Sequence, residues 1–235
     1  MTNSSPPTSI RVEPLAGQQS QPGLTLDAHV PLQVIYEAPE TSDLLRQTLG
    51  DPLTWQLRNE SAVIKVILSP DLAPQFVAAL LALDARILFT QKQKPLSDYL
   101  RRTQPAEEHP SAVQIPLDVP GQVWGEARVA RTPADEPIVS AIAIVGLRGE
   151  TVNAARLALT GAWTEHARLA ASANLLTDGP LTDERIEQVT AAVVQEVTPP
   201  DDFCGSAEYR REMAAVLTRR ALAMCQNKSR WEKQA

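Results

Sequence analysis

The chain has 235 residues with a formal net charge of -6. That balance argues against nucleic acid or an anionic membrane as the main partner, because neither attracts an acidic protein. Two cysteines, Cys204 and Cys225, are too few to hold an iron-sulfur cluster or a structural zinc alone, and no CxxC occurs, so both read as reduced thiols. No apolar run approaches the roughly 20 residues that span a bilayer, and MTNSSPPTSI lacks the pattern of a signal peptide, so the expected location is cytoplasmic.

In chain order, residues 1–22 are rich in Ser, Pro and Gln and read as a disordered leader, with order beginning at Gly23. LTLDAHVPL alternates like a strand, and ETSDLLRQTLG reads as a short helix closed by Gly50. AVIKVIL (62–68) is β-branched and apolar, the composition of a buried strand, and a helix QFVAALLALD and a strand ARILFT follow. The short helix PLSDYLRR leads to a polar loop carrying His109, then to strands VQIPL and VWGEARVAR. IVSAIAIVGL and AARLALT bracket RGETVN as a β-hairpin.

From Trp163 onward only helical patterns are read: WTEHARLAASANLL, then LTDERIEQVTAAVVQEV with Ile186, Val189, Val193 and Val197 on one stripe, then a terminal helix. In that last helix Tyr209, Met213, Val216, Leu217, Leu222 and Met224 form the expected core side, with Ser206 as N-cap. The fold class is α+β: a mixed sheet with flanking helices over 23–120, then a hairpin plus three-helix domain over 121–226 and a tail at 227–235.

Chemistry is sparse. His29, His109 and His166 are far apart and have no partner at ligand spacing, so no metal site is expected. GSAEY lacks the second glycine of a GxSxG elbow, and the pairs Asp201/Asp202 and Glu107/Glu108 read as solvated loop charges, so no catalytic residue is assigned. The arginine pairs 101/102, 210/211 and 219/220 read as solvated or ion-paired, with a partner surface as the sharper alternative. None of the ten glycines is adjacent to another and no GxG occurs, so the chain offers no glycine-rich loop to wrap a nucleotide phosphate.

DDFCGSAEYRREMAAVLTRRAL (201–222) closely resembles the C-terminal signature of the FAD-binding medium subunits of molybdenum hydroxylases, the xanthine dehydrogenase and carbon monoxide dehydrogenase group. Asp202, Gly205, Ser206, Ala207, Tyr209, Arg210, Arg211, Val216, Leu217, Arg219, Arg220, Ala221 and Leu222 match it; Cys204 stands where an arginine is usual. Upstream, GLTLDAHVPLQVI, LRNESAVIKV, SPDLAPQFVAALLALDARILF, PLSDYLRRT and ARVARTPADEPIVSAIAIV resemble further family segments in order. The resemblance makes residues 23–120 similar to the second FAD-binding subdomain, and 121–226 similar to the flavoprotein's C-terminal domain.

The resemblance also implies five cofactor-facing positions. Arg58 and Asn59 match the family's Arg-Asn, Ile64 and Lys65 replace the two glycines of its second phosphate loop, and Asp71 matches an aspartate near the adenosine of FAD. The family's first phosphate loop has no counterpart in residues 1–22. The expectation is a degenerate, non-catalytic relative that has lost FAD, carries no metal, and serves a structural or assembly role beside a molybdopterin-binding large subunit and a small subunit with 2Fe-2S clusters. The alternative is a working FAD oxidoreductase subunit that passes electrons from iron-sulfur clusters, with part of the flavin site supplied by another chain.

Overall fold

The computed structural model describes residues 9–15, 18–50, 53–101, 109–117, 119–132, 135–164 and 167–232. They divide into two compact units, one of residues 1–80 and 84–118 and one of residues 81–83 and 119–235.

The first unit is built on a five-stranded sheet ordered β1-β2-β5-β3-β4, from β1 (Ile10–Leu15), β2 (Gln18–Asp27), β3 (Arg86–Leu88), β4 (Gln93–Pro95) and β5 (Ala112–Pro116). The α+β class holds, but among the described residues every pair of named strands is antiparallel, so the expected mixed sheet is antiparallel instead. Residues 10–15 and 18–22, expected to be leader, are strand. Val12 pairs with Leu24 and Ile10 with Leu26, while Arg11 reaches the Asp27 carboxylate at 2.8 Å. The Pro-rich composition hides this hairpin, yet an edge strand such as β1 tolerates Pro14 because no strand of the sheet pairs with its outer side. Residues 1–8 of that expected leader lie outside the described residues.

Helices α1 (Leu32–Glu37), α2 (Asp43–Leu49), α3 (Trp55–Glu60), α4 (Val63–Leu68), α5 (Pro74–Ala82) and α6 (Leu96–Leu100) complete the elements up to β5. Ser42 and Thr54 cap α2 and α3 by accepting from the third helical N–H, and Gly50 closes α2 as expected. The segment 62–68, expected to be a strand, is instead α4. Its buried residues Val63, Val66 and Ile67 fall at i, i+3 and i+4, a helical spacing, whereas a strand would bury alternate residues. Tertiary packing of that stripe outweighs the β preference of its branched side chains.

The second unit carries a sheet ordered β6-β7-β8-β9: β6 (Gln122–Val129), β7 (Val139–Arg148), β8 (Thr151–Thr160) and β9 (Arg168–Leu169). The β7–β8 hairpin is the expected one, with Gly149 at φ 64° in its turn and a bulge after Gly146. Expected helix 163–176 is replaced by β9, paired to β8, and a 3-10 turn over Ala171–Leu176. Ala170, Ala173 and Leu176 are buried at a spacing of three, which matches the 3-10 turn, and the Glu196 carboxylate accepts from the N–H groups of Ala171 and Ser172 at its start. Among the described residues that follow β9, the α-helices are therefore α7 (Asp183–Glu196) and α8 (Ala207–Glu232), two rather than three.

One core cluster joins Val123, Ala141, Ala143, Leu157 and Leu159 of the sheet to Ile186, Val189, Val193 and Val197 at α7 and to Ala214, Leu217, Ala221, Leu222 and Cys225 of α8. The α7 stripe is the predicted one. On α8, Leu217 and Leu222 are buried as expected, but Met224 is exposed and the contact is made largely by small residues. Gly125 of β6 explains why: a Cβ there would stand 2.0 Å from the Ala221 carbonyl oxygen, so helix and strand backbones touch. Burial pushes the Cys225 thiol up to about 12.

Candidate functional site

The five positions singled out by resemblance lie on α3, α4 and the 3-10 turn Pro70–Leu72. Arg58 makes internal contacts. Its Nε–H donates to Gln33 Oε1 at 2.7 Å, and Nη1 donates to the carbonyls of Leu49, Gly50 and Leu53. Its guanidinium also lies 4.7 Å above the Tyr36 ring. Through Nε and Nη1, Arg58 thus clamps α3 to the end of α2 and to α1. Asn59 donates from Nδ2 to Trp55 O, one turn back in the same helix.

Ile64 and Lys65 lie in the first turn of α4. The Val63 N–H donates to Val30 O at 3.0 Å and the Ile64 N–H to Ala28 O at 2.7 Å, while Val66 N–H enters the helix ladder on Ala62 O. Main-chain donors that would have to face a phosphate are here spent on the segment following β2. Ile64 is half-buried, Lys65 is exposed with its ammonium 3.5 Å from Glu60 O, and Asp71 is exposed. The residues present do not fit an FAD diphosphate: the N–H groups of Val63 and Ile64 are engaged, side chains stand at both glycine positions, and no residue of α4 has positive φ.

The signature at 201–222 does converge. Asp202 Oδ1 accepts from the N–H groups of Cys204 and Gly205, and both its oxygens accept from Arg210 Nη2 at 2.8 Å. Arg210, only 5% exposed, also donates from Nη1 to Ile138 O at 2.6 Å and Gly161 O at 3.4 Å. The hydrogen bonds from Arg210 hold the Asp202 carboxyl below its ordinary range, with the N–H groups of Cys204 and Gly205 adding to that. Ser206 Oγ accepts from Tyr209 N–H and caps α8, as expected. Gly161, at φ 66°, leaves room for Ile138 O at 2.0 Å from where a Cβ would sit. These residues lock the ends of β7 and β8 to the start of α8, and Phe203 is left 91% exposed at the tip.

The arginine pairs separate by role. Arg210 is buried and structural, whereas Arg219 pairs with Glu187 of α7 in an exposed bridge that contributes little. Sequence reading missed Glu126 of β6, a buried carboxylate whose Oε2 has no hydrogen-bond partner and whose pKa is raised by burial, against the opposing effect of Arg128. The alternation of β6 carried a signal for it, since Trp124, Glu126 and Arg128 share one face. Among the described residues no group of three or more His, Cys, Asp or Glu is placed to hold a metal ion, and no helix is long and apolar enough to cross a membrane. His166 lies outside the described residues.

Comparison with known proteins follows this geometry. Residues 127–225 match the family model of the CO dehydrogenase flavoprotein C-terminal domain. The chain is 25% identical over 182 residues to the glyceraldehyde dehydrogenase medium chain of Sulfolobus acidocaldarius, a match covering 74% of this chain and 64% of that protein. It is 26% identical over 200 residues to the 6-hydroxypseudooxynicotine dehydrogenase complex subunit alpha of Paenarthrobacter nicotinovorans, covering 80% and 68%. The chain thus spans about two thirds of these relatives or somewhat less. In fold it is similar to carbon monoxide dehydrogenase from Hydrogenophaga pseudoflava, with a TM-score of 0.79 and 20% identity over 93% of this chain and 78% of that one. Residues 127–225 thus match a CO dehydrogenase flavoprotein C-terminal domain, and the chain is similar to the FAD-binding medium subunits of molybdenum hydroxylases.

Proposed function

We propose that the chain is a cytoplasmic structural or assembly subunit of a molybdenum hydroxylase complex of the xanthine or carbon monoxide dehydrogenase type, a degenerate paralogue of the flavin subunit that holds no FAD and no metal of its own. Its partners on this reading are the molybdopterin-binding large subunit and the small 2Fe-2S subunit. The observation that carries the reading is the start of α4, where the Ile64 N–H is bonded to Ala28 O at 2.7 Å and side chains occupy both positions that the family resemblance gives to glycine. A lysine attracts phosphate as a point charge, but it does not rebuild a cradle of N–H donors. Arg58 and Asn59, matched to the flavin site by resemblance, have become internal fasteners.

A second reading is supported by the likeness in fold over 93% of the chain: a working FAD oxidoreductase subunit that receives electrons from iron-sulfur clusters, with part of the flavin site on another polypeptide. The two separate cleanly. The purified chain is expected to be colourless and to release no flavin on denaturation. Stoichiometric flavin on the chain alone refutes the first reading, and flavin retained only when the chain is reconstituted with its complex supports the second.

A further inference from the structure

Helix α8 has two working sides. One buries Ala214, Leu217, Ala221, Leu222 and Cys225 in the core of the second unit. About 120° around the helix runs a second line, Met213, Val216, Arg220, Met224, Asn227 and Trp231, spaced by three or four residues and so aligned along one side. Met213 and Val216 are half-buried, and the other four are exposed, Met224 at 38% and Trp231 at 74%. At 1.5 Å per residue the line is about 27 Å long.

The charge along this line is one-sided. Glu208 and Glu212 lie in the first two turns of α8, whereas residues 219–231 hold Arg219, Arg220, Lys228 and Arg230 and no acid, in a chain whose formal net charge is -6. Two of these cations are engaged within the unit: Arg219 pairs with Glu187, and the Lys228 ammonium lies 3.3 Å from the Trp124 ring centre. Among the described residues, Arg220 and Arg230 form no ion pair.

We propose that this face of α8 is a docking surface for an acidic amphipathic helix of a partner protein. A straight line of side chains at three- and four-residue steps is the surface that receives anchors at i, i+3, i+4 and i+7 of a second helix. Met224 adapts to its neighbour through an unbranched thioether, and Trp231 offers a large apolar face with few rotatable bonds. Charge then selects among helices. Covering Arg220 and Arg230 with an apolar partner would desolvate two cations without compensation, so the helix that fits carries carboxylates beside its apolar stripe.

The same charge argues against the competing anionic partners. A membrane or a nucleic acid is extended and meets the field of the whole acidic molecule, whereas a single helix approaches only this basic face. The association is independent of whether the chain carries flavin and of whether its partner belongs to a molybdenum hydroxylase.

Fluorescence anisotropy with the full chain tests this. The probe is a fluorescein-labelled synthetic helix of about 18 residues, the length of the line on α8, with Leu at i, i+3, i+4 and i+7 and Glu elsewhere. A matched peptide carries Gln in place of every Glu. At low salt the acidic peptide is expected to bind saturably, and the Gln peptide at least about tenfold more weakly. Arg220→Glu and Trp231→Ala are each expected to weaken the acidic peptide by about tenfold or more, and Arg131→Glu, an equal charge change beyond the far end of β6 from Trp124, by less than about threefold. All three replaced side chains are exposed, so each variant is expected to melt with the wild type, which separates lost docking from lost fold.

No saturable binding of the acidic peptide, equal binding of the Gln peptide, or equal effects of Arg131→Glu and Arg220→Glu would each overturn the proposal. Two further results would overturn it by naming another occupant: cosedimentation with phosphatidylserine vesicles that Arg220→Glu abolishes, or a dimer of the wild type, seen by light scattering, that Trp231→Ala dissociates.

Discussion

Replacing Arg210 by methionine tests what the signature at 201–222 is for. The guanidinium is almost wholly buried and serves four acceptor groups: the carbonyls of Ile138, Gly161 and Gly205 and the Asp202 carboxylate. Methionine keeps much of the packing and removes every donor. Breaking a buried charged pair costs about 3–5 kcal/mol, and the lower end applies because the Asp202 side chain is 38% exposed and keeps its two N–H donors. A loss of about 3 kcal/mol should lower Tm by roughly 6–12 °C for a chain of this size. Calorimetry of Arg210→Met beside Arg211→Met, a half-buried neighbour, makes the comparison internal. The pH dependence adds a second check. Because the folded pKa of Asp202 lies below its unfolded value of about 3.9, the stability it confers is present above that value and is lost as pH falls through the folded pKa. Arg210→Met should flatten that acid limb. If Arg210→Met melts within about 2 °C of wild type at neutral pH, or if the neighbour is equally damaged, the buried fork is not what secures α8.

Gly125→Ala places a methyl 2.0 Å from the Ala221 carbonyl and forces α8 away from β6, so a loss of about 2–3 kcal/mol is expected in urea unfolding, and an unchanged midpoint would show that the two backbones are not in contact. In native protein one thiol, the partly exposed Cys204, should react with an aromatic disulfide reagent, and Cys225, buried and pushed up to about 12, only after denaturation; two fast thiols would mean that the α8 core side opens readily.

What was legible in the sequence followed from periodicity. The Ile186, Val189, Val193 and Val197 stripe, the β7–β8 hairpin and the Ser206 cap all depend on residues close along the chain, and each is found where spacing places it. What was missed depends on distant partners. β1 exists because Val12 and Ile10 meet Leu24 and Leu26, and a composition rich in Pro and Gln does not report that pairing. β9 is ordered by the edge of β8, and the 3-10 turn by a carboxylate more than twenty residues away on α7. AVIKVIL looks like a strand by residue type, yet its burial is helical because only one side of the segment meets the core.

The site divides along the same line. Similarity of motif assigned Arg58 to a cofactor, but a motif preserves residue type without preserving what the side chain touches. Arg58 is matched at its place in the sequence while its Nε and Nη1 donate to Gln33, Leu49, Gly50 and Leu53. In the C-terminal signature the opposite holds. Asp202, Gly205, Ser206 and Arg210 are bonded to one another and to the ends of β7 and β8, so the motif is kept together by its own hydrogen bonds. Those bonds hold the second unit's own elements together, and none of them needs a flavin.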